Sequence, residues 1–597
     1  MRAWLCIYSF VGCSFFITAS AQDEVMLQAF YWDSYSDTKW TKLEKQVAEL
    51  ANYFDLVWVP QSGNCNSSLS MGYDPYYYFN QNSSFGTEAQ LRSMIATFKE
   101  AGIGTIADVV INHRKNVSNW VDFPSETYNG VTYAMTSTDI CKNDDGGACK
   151  TWADANGYSL SQYNDTGEDW SGMRDLDHNS SNVQTIVKAY LKYLLDDLGY
   201  YGFRYDMVKG YSASFTATYN SYAKPSFSVG ECWDGSGVIK NWINGTKVNG
   251  TPTSSAFDFQ FRYRIRDAIN QNNWATLASS SSDTGGYPLV YQSDYRPYAV
   301  TFVENHDTEY RSSSSPQDPI KADTLAANAY MLAMPGTPCV FLKHWMKAKN
   351  DIKRMISARK LAGITNTSSC DVVASAQLYY GVKTTGTKGT LICVVGKTPT
   401  AYTAPSGYTK VCSASDYVYY LSDNVASGWS AVEEQIAAEN VEVEEETYTI
   451  NVYVRNENSW SNMNYYIWDS YNEQLNGGWP GKRITETVEI GGYTWYRQEV
   501  TLKVEDGYCV NFVFSTGTGS PQTVDVTNVT EDKYFVVTST QSSGKYVVND
   551  VTATVGIIDI VDNTPVSNAI YDLMGRRITS LPSKGIYIKN GKKYFVR

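Results

Sequence analysis

Four acids stand at the same end of four short apolar runs: Asp108 in GTIADVVINH (104–113), Asp206 in GFRYDMVK (202–209), Glu231 in FSVGECW (227–233) and Asp307 in AVTFVENHD (299–307). A carboxylate inside an apolar run is costly unless it is paired or used. One such acid is as readily an ion-pair partner as a working group, but four at the same end of different strands are hard to explain that way. Arg204 precedes Asp206 by two residues, so the period of a strand puts both side chains on one face. A fixed cation there holds the Asp206 carboxyl ionised at neutral pH. His113 and His306 close two of the same runs. With His178 they account for three of the four histidines, and the fourth, His344, reads as structural. A lone histidine is usually a satisfied polar residue; three converging on acid-rich strand ends point to a polar ligand bearing hydroxyls.

These residues need a frame that brings the ends of distant strands together. Four further apolar runs accompany the first four: VMLQAFYW (25–32), DLVWVP (55–60), AFDFQF (256–261) and PCVFLK (338–343). Between them lie segments such as AQLRSMIATFKEAG and VQTIVKAYLKYLLDDLG, apolar at helical spacing and closed by glycine. Eight near-continuous apolar strands separated by helices predict an α/β fold, a (β/α)8 TIM barrel over residues 22–365, with its working residues at the C-terminal strand ends. The stretch Arg114 to Asn179 is too long for an ordinary connection and reads as a subdomain inserted after the third strand. Residues 366–423 read as a small antiparallel β domain and 424–446 as an acidic linker, whose stretch 431–446 fits a linker or a solvated helix. Residues 447–545 read as a β-sandwich module rich in Trp and Tyr, and 552–597 as a compact β-rich tail.

The 597 residues leave room for three or four domains. Hydrophobic residues at 43% against charged residues at 19% exclude wholesale disorder. A net charge of −13 leaves no basic excess to neutralise phosphates, which argues against a nucleic-acid partner. The 47 tyrosines supply rings with polar tips, suited to a wet ligand with flat apolar faces, although aromatics also fill cores. At the N-terminus Arg2, the apolar run Leu5 to Ile17 and Ala19-Ser20-Ala21 read as a signal peptide over residues 1–21. A lipoprotein site at Gly12-Cys13 fits less well, because the apolar run continues past it. That run is too short to span a bilayer, and no other stretch approaches a membrane span, so an exported, soluble protein is expected. Removal of Cys6 and Cys13 leaves nine of the 11 cysteines, an odd number; Cys141 and Cys149 flank a polar loop and are the best disulfide candidates. Without a CxxC pair and with few histidines, a structural zinc site is not expected.

DVVINH (108–113), GFRYDMVKG (202–210), GECWD (230–234) and FVENHD (302–307) resemble the four signature regions of the alpha-amylase family, glycoside hydrolase family thirteen. GYDPYYY (72–78) and RDLDH (174–178) resemble its auxiliary regions, and the likeness spans about residues 25 to 420. The resemblance implies that Asp206 is the nucleophile, Glu231 the general acid/base and Asp307 the group that grips sugar hydroxyls and stabilises the transition state. Retaining hydrolysis needs one ionised and one protonated carboxyl about 5–5.5 Å apart, which adjacent barrel strands can present. It further implies that His113, His306 and Arg204 bind the sugar in the central subsite, that Tyr73 stacks on its ring, and that Lys209 reaches a sugar on the leaving-group side. Asp108 is expected to be structural. A structural calcium is implied where the insertion meets the barrel, held by the Asn112 side chain, Asp165, Asp175 and the carbonyls of Gly210 and Glu168; hard oxygen ligands of this kind suit calcium. Many members of the family have histidine where this chain has Gly210, which removes an imidazole contact to substrate.

NYYIWDSYNEQLNGGWPGK (464–482) resembles starch-binding modules of carbohydrate-binding family twenty-six. Tyr466 and Trp468 share one strand face and Trp479 follows in a turn, a trio fit to form a platform for stacked glucose rings. The alternative is that they form the module's own core. YDLMGRR (571–577) and KGIYIKNGKK (584–593) resemble the C-terminal sorting domain of the type-nine secretion system of Bacteroidetes. The activity implied is a secreted, endo-acting, retaining alpha-1,4-glucan hydrolase. It would act as a monomer on starch, glycogen and maltooligosaccharides. The alternatives are a transglycosylase or debranching relative, or a non-catalytic starch-capture protein.

Overall fold

The computed structural model describes residues 21–278, 286–440, 447–458, 460–470, 473–504 and 508–555, together with the backbone of four short strands between 570 and 596. The expected signal peptide lies almost wholly outside the described residues, as do residues 441–446 of the expected linker and most of the tail. The chain divides into two compact units, Met1–Val441 and Glu442–Arg597.

The first unit is built on a closed (β/α)8 barrel. Its strands are β1 (Met26–Gln28), β2 (Leu56–Trp58), β3 (Gly104–Val109), β4 (Gly202–Tyr205), β5 (Phe227–Gly230), β6 (Ser255–Phe257), β7 (Ala299–Phe302) and β8 (Thr337–Phe341). They close in chain order with every pairing parallel. All eight expected runs became barrel strands, because a parallel strand covered by helices must be apolar on both faces. The connecting helices begin where caps satisfy their free N–H groups: Thr87 and Gln90 form a capping box on Glu88–Glu100, and Ser180 caps Ser181–Lys192. Between β3 and that second helix the chain leaves the barrel. A ladder pairing His113 with Asp175 ties the two ends of this insertion together.

After the barrel, residues 369–422 form a five-stranded antiparallel sheet. The acidic stretch beyond it differs from the linker expected over 424–446. Asp423–Ala426 and Trp429–Glu439 are helical, Ile436 is buried, and Glu433 and Glu439 bond Arg354 and Lys353. Charge count alone suggested a solvated segment; the facing cations convert it into a docked helix. The disulfide expected between Cys141 and Cys149 is absent as well, for all nine cysteines among the described residues are free.

The second unit contains a sandwich of a five-stranded and a four-stranded sheet over residues 447–550. Alternate residues of Thr447–Asn456 (Ile450, Val452, Val454) and of Asn464–Asp469 (Tyr465, Ile467) point into its core. The backbone near the C-terminus forms a separate four-stranded sheet. No helix among the described residues is long and apolar enough to cross a membrane.

Candidate active site

Arg204 is the centre of the site. Neighbouring β3 and β4 place it in register with Asp108, and its guanidinium, 1% exposed, bonds three carboxylates. Nη1 donates to Asp108 Oδ1 at 2.8 Å and Asp206 Oδ1 at 2.6 Å, and Nη2 to Glu231 Oε1 at 2.9 Å. Asp206 and Glu231 each stand one residue beyond the ends of adjacent strands, β4 and β5, which is why one side chain reaches both. The remaining oxygen of Asp108 accepts from Trp58 Nε1 (3.2 Å) and from the Tyr73 hydroxyl (2.9 Å), so this acid is fully engaged in holding the frame.

Glu231 Oε2 accepts the Met207 N–H at 3.0 Å. Met207 adopts φ +45°, ψ +49°, a left-handed conformation that costs a non-glycine residue energy and is maintained where the surroundings demand it. Burial, then the negative charges of Asp206 and Asp307, outweigh Arg204 and push the Glu231 carboxyl up to about 8. Glu231 is therefore protonated at neutral pH. Asp307 goes the opposite way. Burial opposes its ionisation, but His306 above all, with Arg204 and Arg311, holds its carboxyl below the usual range. His306 Nε2 lies 3.0 Å from Asp307 Oδ2, and a Gln28 amide N–H on Nδ1 at 2.9 Å leaves Nε2 to carry the donated proton. Asp307 is 28% exposed against 10% for Asp206 and Glu231, which leaves it open to a ligand.

Rings wall the cleft. Tyr73 stacks on His306 at 5.2 Å and lies parallel to Trp32 at 6.3 Å. The Arg311 guanidinium sits 3.9 Å over Trp32 and contacts Asp307 Oδ1 at 3.3 Å. His113 packs against Trp170 at 4.1 Å and bonds the Tyr73 carbonyl through Nε2, while its buried Nδ1 has no partner. Burial pushes the His113 imidazole down, toward the neutral form. Lys209 bridges Glu168 (3.1 Å) and Asp234 (3.0 Å), and Asp234 lines a recess of about 430 Å³ with Trp233 and Tyr263.

Gln28, Trp32, Trp170 and Arg311 were not singled out from the sequence. Gln28 carried a readable signal, a polar residue inside an apolar strand; Arg311 carried none. His178 corrects an expectation in the other direction. It does not join the carboxylates: its ring is buried, held by the Tyr219 hydroxyl at 2.6 Å and the Ile111 carbonyl at 3.1 Å, and burial pushes it down to about 3. His344 is likewise structural, bonded to Glu304 and Asn328.

A second acidic cluster lies where the insertion meets the barrel. Asp175 accepts from the Asn112 amide at 3.2 Å and from Trp170 N–H at 2.8 Å. Asp165 lies within electrostatic reach of Asp175, and its Oδ2 is buried without a partner. Burial raises both carboxyls, Asp165 to about 6 and Asp175 to about 9, the latter also through the charges of Asp165 and Asp144. Among the described residues neither has an ion pair. Asp144, Asp169 and Asp175, of which the first two were not anticipated, hold ligand oxygens within 4.8 Å of one another. Gly210 is tight against Asn112: a Cβ there would fall 2.0 Å from Asn112 Oδ1. Glu168 is tied in by its N–H, which donates to the Lys209 carbonyl at 2.8 Å. The carboxyls of Asp165 and Asp175, without a counter-charge of their own, fit a hard cation that would answer their charge once they ionise.

In the second unit Tyr466 lies 5.6 Å from both Trp468 and Trp479 on the outer face of the sandwich. The trio lines an open recess of about 390 Å³ with Gln522, Asp525 and Lys545, and Trp479 is 46% exposed. These three rings are not the module's core.

The family described as alpha amylase, catalytic domain, matches residues 60–219. Probable alpha-amylase 2 of Arabidopsis thaliana is 29% identical over 381 residues, covering 60% of this chain and 86% of that protein. Glucan 1,4-alpha-maltotetraohydrolase of Roseateles saccharophilus is 27% identical over 57% of this chain and 62% of its own length. The alpha-amylase of Bacillus licheniformis is 24% identical over 56% and 73%. Among solved structures, an alpha-amylase from Geobacillus thermoleovorans complexed with acarbose has a TM-score of 0.47 at 14% identity, over 67% of this chain and 98% of that one. The family match, these relatives and the carboxylates gathered at the strand ends identify an alpha-amylase-type catalytic domain in this barrel, and the chain is a glycoside hydrolase.

Proposed function

We propose that the protein is an endo-acting alpha-amylase that hydrolyses alpha-1,4-glucosidic bonds of starch, glycogen and maltooligosaccharides with retention of configuration. The observation that carries this reading is that one guanidinium bonds Asp206 and Glu231 while burial keeps Glu231 protonated. Two carboxyls one guanidinium apart suit the short spacing of retaining enzymes, about 5–5.5 Å, better than the wider gap that admits a water in inverting ones. Asp206, bonded to Arg204, attacks the anomeric carbon as Glu231 gives its proton to the leaving oxygen. Glu231, now a carboxylate, takes a proton from the water that displaces Asp206 and is restored. Asp307, the more open of the three acids, holds sugar hydroxyls.

Asn112, Asp165 and Asp175, with the Gly210 and Glu168 carbonyls, are the residues proposed to hold calcium. Bound there, the ion supplies a counter-charge that fixes the insertion against the barrel, beside Lys209. The module's trio is proposed to hold granular starch, and residues 1–21 to direct export, with the C-terminal segment serving the type-nine route.

Reducing-sugar release from amylose, with Glu231→Gln as control, tests the activity. Proton NMR of the first-formed anomer tests retention, and inactivity on pullulan separates the enzyme from debranching relatives. Release equal in the wild type and Glu231→Gln would reject the assignment. Tyr466→Ala with Trp468→Ala should weaken attack on granules several-fold and leave soluble substrate untouched; equal losses on both would defeat the module assignment.

A further inference from the structure

Gln28 is the last residue of β1, at the end of the barrel where the carboxylates gather, and it is 1% exposed. A buried amide is costly unless it is bonded, and this one meets His306 Nδ1 at 2.9 Å. We propose that Gln28 is a positioning residue of the reaction: its N–H selects the tautomer of His306 that donates from Nε2 to Asp307. For the part Asp307 plays, the proposal rests on the glucan-hydrolase reading above.

The His306 ring is buried and walled by other rings: Phe30 at 5.0 Å, Tyr73 at 5.2 Å, Trp58 at 5.8 Å and Trp32 at 6.4 Å. Among the described residues its two nitrogens therefore have Gln28 and Asp307 as their polar partners. A neutral imidazole has one donor and one acceptor nitrogen, and the bond made by one fixes the state of the other. The Asp307 carboxylate, 3.0 Å from Nε2, can only accept, so Nε2 must carry the proton and Nδ1 must accept. Only the N–H side of the Gln28 amide satisfies Nδ1 in that state. The carbonyl side would require the proton on Nδ1 and would set the Nε2 lone pair against Asp307 Oδ2. The amide is itself fixed by backbone pairing on both sides, to Trp58 of β2 and Phe341 of β8. The ring carries that constraint from β1 across the barrel to Asp307, the most exposed acid of the site. An imidazole held in the wrong tautomer keeps its geometry and loses its catalytic use, which gives a buried amide at this strand end a reason to be there.

The test reads the ring directly. The chain has four histidines, so nitrogen-15 NMR of the full protein labelled at histidine resolves His306, assigned by the signal lost in His306→Asn. At pH 7 the wild type should show a proton on Nε2 and a bare Nδ1. Gln28→Glu, which keeps the shape of the side chain and offers an acceptor at pH 8, should bring a proton to Nδ1. Gln28→Met, similar in length and without a donor, should lower kcat on amylose about 10–100-fold, the scale of a lost orienting partner, and leave KM within about threefold. Its near-ultraviolet circular dichroism should match the wild type. A proton on Nδ1 of the wild type at pH 7 would overturn the proposal, whether the ring is charged or in the other tautomer. So would wild-type kcat in Gln28→Met, or a bare Nδ1 in Gln28→Glu at pH 8. Should Gln28→Met fail to fold, the spectra of the wild type and Gln28→Glu still decide. No sugar released by the wild type, with both spectra as expected, would sink the glucan-hydrolase reading and leave the tautomer assignment standing.

Discussion

Two groups of buried acids stand on the C-terminal side of this barrel, and they solve the same electrostatic problem differently. Asp108, Asp206 and Glu231 share the Arg204 guanidinium, so their negative charge is answered inside the fold. Asp165 and Asp175 have no such cation; the nearby Arg174 is spent on Asp144 at 2.6 Å. Isolated buried charge is expensive, and a group without a counter-ion neutralises itself by shifting its titration. Both behaviours are visible: Asp307, within reach of His306, Arg204 and Arg311, stays ionised, whereas Asp165 and Asp175 climb to about 6 and about 9. A built-in cation suits a site that must keep one carboxylate charged through a reaction cycle. A missing one suits a site completed by an ion from solution.

The sharpest way to break this comparison is at Glu231, which is pushed up to about 8 although it bonds Arg204. Glu231→Gln should lower kcat by about 10³–10⁴-fold, the scale of a lost general acid/base with its leaving-group role, with the fold intact by circular dichroism. In the wild type, kcat/KM should fall on the alkaline side with a midpoint near 8, as Glu231 loses its proton. An alkaline limb unchanged in residual activity of Glu231→Gln would assign that limb to another group. Next in size is Arg204→Met. Removing the shared cation leaves three carboxyls unpaired, and denaturant unfolding should show a loss of about 3–5 kcal/mol. A loss below about 1 kcal/mol would mean that the acids are solvated well enough to need no partner.

The difference between the clusters also explains what was legible in the sequence. The eight strands were, because burial on both faces writes itself as a continuous apolar run. The Arg204–Asp206 contact was, because both residues lie on one strand at a spacing of two. The bond from Arg204 to Glu231 was not readable from either segment, since it depends on β4 and β5 being neighbours. Asp144 and Asp169 escaped notice for the same reason: they reach Asp175 only through the folding of a long insertion. His178 misled because its partners, Tyr219 and the Ile111 carbonyl, belong to other elements. The helix Trp429–Glu439 misled because composition counts its acids and omits Lys353 and Arg354, which face them.

A smaller effect is expected at the second cluster. Chelation with EGTA should lower the unfolding temperature, by an amount equivalent to about 2.7 kcal/mol when the free calcium it removes was about 100-fold above the dissociation constant. The sign of the pH dependence follows from the raised carboxyls. The stability these two carboxyls contribute to the calcium-free protein is fullest at low pH and is lost as pH rises through about 6 for Asp165 and about 9 for Asp175. Calcium should therefore stabilise more at pH 8 than at pH 5. A shift of equal size at both values would mean that the ion binds elsewhere.

The smallest and most discriminating change is Asp165→Asn. It removes the buried charge that faces Asp175 without altering side-chain length, so at pH 8 the calcium-free variant should be more stable than the calcium-free wild type, by about 1 kcal/mol. It should also lose most of its response to EGTA, because calcium affinity depends on ligand charge. The two effects have opposite signs in the two states, which distinguishes them from general damage to the insertion. A variant destabilised equally with and without calcium would show that Asp165 serves packing rather than charge, and the contrast between a cluster with its own cation and a cluster that borrows one would collapse to a difference in burial.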